Sequence, residues 1–279
     1  FNRGKVDKLA DNVTGLYGTE WATSSTFPKS DYVLKEGRPV GLVRGLTADG
    51  FYTTDDFTYE NGVYTLKEGV ADVSSAVFPN YHLHNGMNER PAGQLAYPGM
   101  AKFKDLNDDG IINDDDVDVI GDMTPVHTGG FNINATYKNF DLGLYFNWSY
   151  GNEIYNVNKL AALYGYKEGA VYENKLSIVK DCYKIYDVVN GELVALTTPE
   201  QLNAANANAK LPLAYSENGY VSTLGIEDGS YLRLNTLTLG YTLPKSMLQK
   251  AGISNLRVYG SIYNVFTITG YSGIDAEVS

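Results

Sequence analysis

Residues 130–150 read Gly-Phe-Asn-Ile-Asn-Ala-Thr-Tyr-Lys-Asn-Phe-Asp-Leu-Gly-Leu-Tyr-Phe-Asn-Trp-Ser-Tyr. In the first half, Phe131, Ile133, Ala135 and Tyr137 alternate with Asn132, Asn134 and Thr136. Beyond Lys138-Asn139 the alternation resumes, with Phe140, Leu142, Leu144, Phe146, Trp148 and Tyr150 opposite Asp141, Gly143, Tyr145, Asn147 and Ser149. Successive side chains of a strand point to opposite faces, so this pattern predicts a β-hairpin with one apolar and one polar face. Aromatic residues at both ends of the second strand, with aliphatics between, suit a wall that meets lipid, because Trp and Tyr favour the membrane interface. The same alternation would also serve one half of a soluble sandwich.

A second hairpin lies further on. Leu232 and Leu234 occupy even positions, whereas Leu237, Leu239, Tyr241 and Leu243 are odd. Such a slip near Asn235-Thr236 predicts a β-bulge, since the face would otherwise invert. A turn over 244–252 with one short helical turn leads to a returning strand over 256–266. There Leu256, Val258 and Ile262 oppose Arg257, Tyr259, Ser261 and Tyr263, and Asn264 interrupts the apolar face. The short turns contrast with very long connections over 4–127 and 151–229. Compact domains avoid long irregular loops, whereas outer-membrane barrels combine short periplasmic turns with long extracellular loops. Domain boundaries follow from this: 1–127 as an extracellular loop region, and 128–279 as barrel hairpins (about 130–150 and 231–267) with an extracellular loop at 151–229.

The long connections carry local signals. Thr198-Pro199-Glu200-Gln201 supplies an N-cap, a Pro in the first turn and a capping-box Gln, predicting a helix over 199–209. Helical spacing is partial over 154–164 and 176–186. Asn61-Gly62, between Phe57-Thr58-Tyr59 and Val63-Tyr64-Thr65-Leu66, reads as a hairpin tip.

Residues 105–116 read Asp-Leu-Asn-Asp-Asp-Gly-Ile-Ile-Asn-Asp-Asp-Asp. Asp105, Asn107, Asp109, the Ile111 carbonyl, Asn113 and Asp116 stand at positions 1, 3, 5, 7, 9 and 12 of an EF-hand-type loop, with Gly110 at 6 and apolar Ile112 at 8. This spacing predicts a structural Ca2+ site, although Asp116 stands where EF-hands place a bidentate Glu; the alternative is a solvated acidic turn.

Composition removes other classes. A net charge of −11 argues against nucleic-acid binding, which needs clustered Lys and Arg. The single cysteine, Cys182, excludes an internal disulfide and any multi-Cys metal site, and reads as a packed small side chain. His82, His84 and His127 are not spaced for zinc. No apolar run is long enough for a transmembrane helix, which says nothing against membrane strands. The opening Phe-Asn-Arg-Gly-Lys has neither Met nor an apolar leader, and reads as the middle of something longer. The 23 tyrosines suit sugar stacking, an interface belt or a lumen lining. Arg233 and Arg257 are candidates for the lumen, Arg257 on the polar face of its strand. No catalytic or cofactor-binding residue can be nominated.

Several segments stand in a telling order: Phe103 to Gly110, Ile120-Gly121-Asp122 with Pro125, Gly130-Phe131, and Tyr137 to Leu142. Ser230 to Leu234 with Thr238 to Pro244, Leu256 to Tyr259 with Asn264 to Thr267, and Tyr271 to Glu277 follow. Together these segments resemble the SusC/RagA family of TonB-dependent outer-membrane transporters. The match is strong over about 100–279 and loose over 1–60, through Asn2 to Val6 and Gly37 to Gly41. The resemblance implies a mostly-β fold: the C-terminal antiparallel strands of a 22-stranded transmembrane β-barrel, with long extracellular loops containing short helices. It further implies import of an oligosaccharide or peptide ligand with a SusD-like surface lipoprotein as lid, and energy relayed by the TonB complex through N-terminal parts this chain lacks. Contact with outer-membrane lipid follows. Four or five strands cannot close a barrel, so this chain should not transport by itself. Two other classes compete. The 105–113 run also looks like half of a dockerin, which would make the chain a soluble calcium-dependent carbohydrate- or protein-binding module; dockerins need two such repeats and one is present. A soluble carbohydrate-active enzyme would need a carboxylate pair that no motif supplies.

Overall fold

The computed structural model describes residues 4–19, 26–78, 90–163, 176–214, 219–249 and 252–277. The chain forms two compact units, one of Phe1–Lys5, Asp122–Ile154 and Glu227–Ser279, the other of Val6–Gly121 and Tyr155–Ile226.

The first unit is built on four long strands, labelled β1 (His127–Tyr137), β2 (Phe140–Tyr150), β3 (Tyr231–Thr242) and β4 (Arg257–Thr269). They pair antiparallel in the order β1-β2-β3-β4. β1 and β2 turn at Lys138-Asn139, with Tyr137 opposite Phe140 and Lys138 at φ 54°. Between β3 and β4 lies the expected short helix, Lys245–Leu248.

The predicted bulge is present. Leu144 and Phe146 of β2 face Leu237 and Leu234 of β3, and these face Ile262 and Phe266 of β4. Two residues of advance on β2 thus become three on β3 and four on β4. The extra residues lie in one row, Asn235 opposite Asn264 and Val265, and Asn264 absorbs the irregularity at φ 51°. Asn tolerates this left-handed backbone better than most residues. The bulge explains how an apolar face continues past Asn264 to Phe266 and Ile268.

The second unit has a different construction, from strands of two to five residues and short helices. Leu16–Gly18, Tyr32–Leu34 and Leu42–Gly45 pair in sequence. Asp72–Val73 pairs in parallel with Ile111–Ile112, and Thr26–Phe27 in parallel with Gly219–Tyr220. Its core gathers Tyr52, Phe57, Tyr64, Tyr97, Phe103, Ile112, Tyr183, Leu202 and Tyr220, all buried. Asn61-Gly62 is a hairpin tip as expected, with φ of 51° and 86°. Asn190-Gly191 makes a second tip between Tyr186–Val189 and Glu192–Ala195. That hairpin lies outside the sequence expectation, although its Asn-Gly signal is the same. The predicted 199–209 helix runs over Pro199–Asn206, with the Thr198–Gln201 capping box formed. Val157–Leu163 is helical, and Ser177–Asp181 is a 3₁₀ turn.

The units divide the chain differently from the expected boundary at 127/128. Residues 155–226, expected as a separate loop beside the barrel hairpins, pack with residues 6–121. The physical reason is the shared tyrosine-rich core, which Tyr183, Leu196, Leu202 and Tyr220 enter from the later segment.

Candidate functional site

The two faces of the four-stranded sheet differ in chemistry from row to row. Ile133, Leu144, Leu237 and Ile262 form one row, and Ala135, Leu142, Leu239 and Gly260 the next. Ile133 is 45 % exposed, Leu239 51 % and Ile262 58 %, Ile268 further along β4 62 %, and Leu142, Leu144 and Leu237 are half-buried between them. A contiguous exposed apolar patch of this kind marks a surface made for something other than water. Aromatics close it at both ends. Tyr137, Phe140 and Tyr241 lie at the turn end, with the Phe140 and Tyr241 rings 4.7 Å apart. At the other end His127 stacks on Tyr150 at 5.1 Å, and Trp148 Nε1 donates to His127 Nδ1 at 3.0 Å. At the usual strand rise and a tilt of 35–45°, a strand of this length spans roughly 25 Å of bilayer, the height of an outer-membrane apolar band.

The opposite face is polar and ion-paired. Thr238 and Ser261 share a 2.9 Å hydrogen bond. Arg257 on β4 reaches across β3 to Asp141 on β2, Nε to Oδ1 at 2.9 Å and the second nitrogen to Oδ2 at 2.5 Å. Gly240 lies beneath this fork, and a β-carbon there would stand 2.5 Å from both partners. Arg233 is buried. Its Nε donates to Thr267 Oγ1 at 3.0 Å, one terminal nitrogen to Glu277 Oε2 at 2.7 Å and the other to Asp275. Both arginines are therefore on the polar face, as the strand parity suggested for Arg257. The pairing with Asp141 has no local signature except the intervening Gly240, and Asp275 and Glu277 lie more than 40 residues from Arg233 in a segment with no strand period.

The 105–116 loop enters the left-handed region at two residues, Asp108 at φ 58° and Gly110 at φ 84°. Its side chains bond to the loop itself. Asp105 accepts the N–H groups of Asp109 and Gly110, Asn107 that of Asp109, Asp109 that of Ile111, and Asn113 that of Asp115. Buried Asp116 accepts from Leu106 and Asn113. Ile112 points into the core while Ile111 is exposed. Among the described residues no group of three or more His, Cys, Asp or Glu side chains is gathered as a metal site. His82 and His84 lie outside the described residues.

Tyr52, Tyr64, Tyr97, Tyr183 and Tyr220 are buried in the second unit and belong neither to a belt nor to a sugar platform. Cys182 is buried, which pushes its thiol up to about 11, with Asp181 adding to the shift; it is a packed residue.

No family model matches the sequence. Curated relatives do. TonB-dependent receptor P3 of Formosa agariphila is 30 % identical over 281 residues, covering 100 % of this chain and 22 % of that protein. The chain belongs to the TonB-dependent receptor family. Receptor P39 of the same organism is 27 % identical over 279 residues, covering 93 % of this chain and 24 % of that receptor. This receptor chain thus spans about a fifth to a quarter of the length of the curated relatives it matches. Among solved structures it is similar to the RagAB peptide transporter, with a TM-score of 0.59 and 18 % identity over 99 % of this chain and 23 % of that one. The RagAB peptide importer in its closed-closed state gives 0.60 and 19 % over the same shares. At that identity the likeness establishes the fold, and the mostly-β architecture with long antiparallel strands expected from the SusC/RagA resemblance is observed. The receptor's place is the bacterial outer membrane.

Proposed function

We propose that this receptor chain supplies wall strands and outer loops to a TonB-dependent importer that takes up an oligosaccharide or peptide with a SusD-like surface lipoprotein. The carrying observation is the sheet with an uncovered, aromatic-rimmed apolar face and an ion-paired polar face. A wall between hydrocarbon and a water-filled lumen needs that division, and a soluble calcium-dependent module does not. β1 and β4 each have one edge unpaired among the described residues. Those edges would be satisfied by neighbouring strands of the closed barrel. The second unit, with its own core, would form part of the outer surface where ligand and lipoprotein meet the receptor. Similarity to a peptide importer favours peptide as the first ligand to test.

The test is uptake of labelled peptides and oligosaccharides by cells carrying the full receptor, with and without an energised inner membrane. Uptake should require both receptor and energy. Uptake that survives receptor deletion would sink the reading.

Calcium at 105–116 enters the same proposal as a stiffener of the loop ahead of β1, supported by the ligand spacing and the turn conformations of Asp108 and Gly110. Titration of the purified receptor with Ca2+ should show a saturable site that Asp105→Ala/Asp109→Ala removes. Heat of binding unchanged by that double substitution would place the ion elsewhere.

A further inference from the structure

We propose that Arg233 anchors residues 270–277 as a strap locked across the polar face of the sheet, with Asp275 and Glu277 as its fasteners. After β4 the chain does not leave the sheet but bends back over it. Near the bend, Ser272 donates from both N–H and hydroxyl to the Glu227 carboxylate, each at 2.9 Å. Tyr271 N–H bonds Thr269 Oγ1 at 3.1 Å, and Thr269 bonds the Ser230 carbonyl at 2.9 Å. At the far end Arg233 takes both carboxylates, and Glu277 N–H donates to Asp275 Oδ1 at 2.9 Å. Ala276, between the fasteners, is buried. Ile274, midway along, is fully exposed and packs on nothing.

The strap is thus tied at both ends and free in the middle. A segment of eight residues with a single buried aliphatic cannot be held by apolar packing. Its position depends on charge-assisted bonds, the stronger class of hydrogen bond. Arg233 is suited to this, because its planar fork serves two carboxylates and Thr267 at once. The site is also built from the wall outward. Asn147, Arg233 and Thr267 form one row across β2, β3 and β4, and Asn147 Nδ2 lies 3.4 Å from Glu277 Oε1. The row sits beside the bulge that turns Asn264 toward the same place. Together Arg233, Asn264, Thr267 and the strap line a half-open pocket of about 160 Å³. Asp275 is held below the usual carboxylate range, first by the Glu277 N–H and then by Arg233, so the fastener remains charged at neutral pH.

Without Arg233 the two carboxylates would face each other with no counter-charge, and the strap would lift. The lock rests on the polar-face geometry and not on the import reading above. The experiment uses the full receptor in membranes with spin labels at Ile274→Cys and Tyr263→Cys, both exposed positions, while buried Cys182 stays unlabelled. The parent should give one narrow distance. Arg233→Met and, separately, Asp275→Asn/Glu277→Gln should each lose it, and Arg257→Met, which breaks the other ion pair of this face, should keep it. An unchanged narrow distance in Asp275→Asn/Glu277→Gln overturns the lock, and that pair alters only the strap if Arg233→Met fails to assemble. Uptake by the parent receptor is read in parallel. Loss of the narrow distance in a receptor that never imports would uphold the lock and remove the import reading.

Discussion

The four-stranded sheet and the unit made of residues 6–121 and 155–226 use the same residue types in opposite ways. In the sheet, Ile133, Leu239, Ile262 and Ile268 stand outside; in the other unit, Tyr64, Tyr97, Ile112 and Leu202 are wholly buried. Strand length follows the same division, 11 to 13 residues in β1–β4 against two to five elsewhere. A fold that must cross a bilayer satisfies its backbone along long ladders and offers its apolar side chains to lipid. A fold surrounded by water gathers them inward and needs no long strand. Two solvents have therefore shaped one chain.

The largest expected effect breaks the inward half of this contrast. Tyr64 is enclosed, its ring 5.4 Å from Tyr97 and 4.6 Å from Tyr59, and its hydroxyl bonds the Thr197 carbonyl at 3.1 Å. Tyr64→Ala should cost about 3–5 kcal/mol, as truncation of a buried aromatic ring does. Hydrogen exchange on the full receptor should localise the loss to residues 6–121 and 155–226 and leave β1–β4 protected.

A matched pair sharpens the contrast next. Leu239 and Leu193 are similarly exposed, 51 % and 69 %. Leu239→Arg should cost about 2–4 kcal/mol if β3 faces the bilayer midplane. Leu193→Arg, on a hairpin in water, should stay within about 0.5 kcal/mol. Urea unfolding of the receptor in lipid vesicles measures both, and equal effects would place the two leucines in one solvent.

Much of this division was legible in the sequence where periodicity is strong. The alternation of 130–150, the slip at Asn235-Thr236 and the Asn61-Gly62 tip each reflect local backbone rules that neighbours do not override. The second unit was not legible in that way. Strands of two or three residues are too short to show a period, and a core assembled from Phe27, Tyr64, Tyr97 and Tyr220 is scattered over nearly 200 residues of sequence. Tyrosine composition suggested a belt or a sugar surface because composition carries no information on burial. The polar-face ion pairs were hidden for a related reason: Asp141 and Arg257 are 116 residues apart, and only the sheet brings them together.

Local signals in the second unit can be tested on a smaller scale. Thr198 accepts the Gln201 N–H at 3.3 Å, and Gln201 Oε1 accepts from Thr197 and Thr198. Thr198→Ala should cost about 1 kcal/mol. Thr198→Ser should restore most of it, read again by hydrogen exchange over Pro199–Asn206.

The smallest effect separates the units by pH. Burial alone would push the Asp56 carboxyl up, but the Lys102 ammonium at 2.7 Å and the Thr53 N–H and hydroxyl outweigh it and hold it below the usual carboxylate range. In the unfolded chain this group has its ordinary value, so the folded unit binds its proton less readily. The stabilisation is then complete above the ordinary carboxylate value and is lost as pH falls through the lowered folded one. Asp56→Asn should therefore lower stability at neutral pH, and its deficit should shrink toward acid as the parent loses the same ion pair. Melting of residues 6–121 and 155–226, followed by hydrogen exchange from pH 7 downward, reads this directly. A deficit that stays constant through the acid range would show that Asp56 contributes through its hydrogen bonds to Thr53, with no ionised pairing to Lys102.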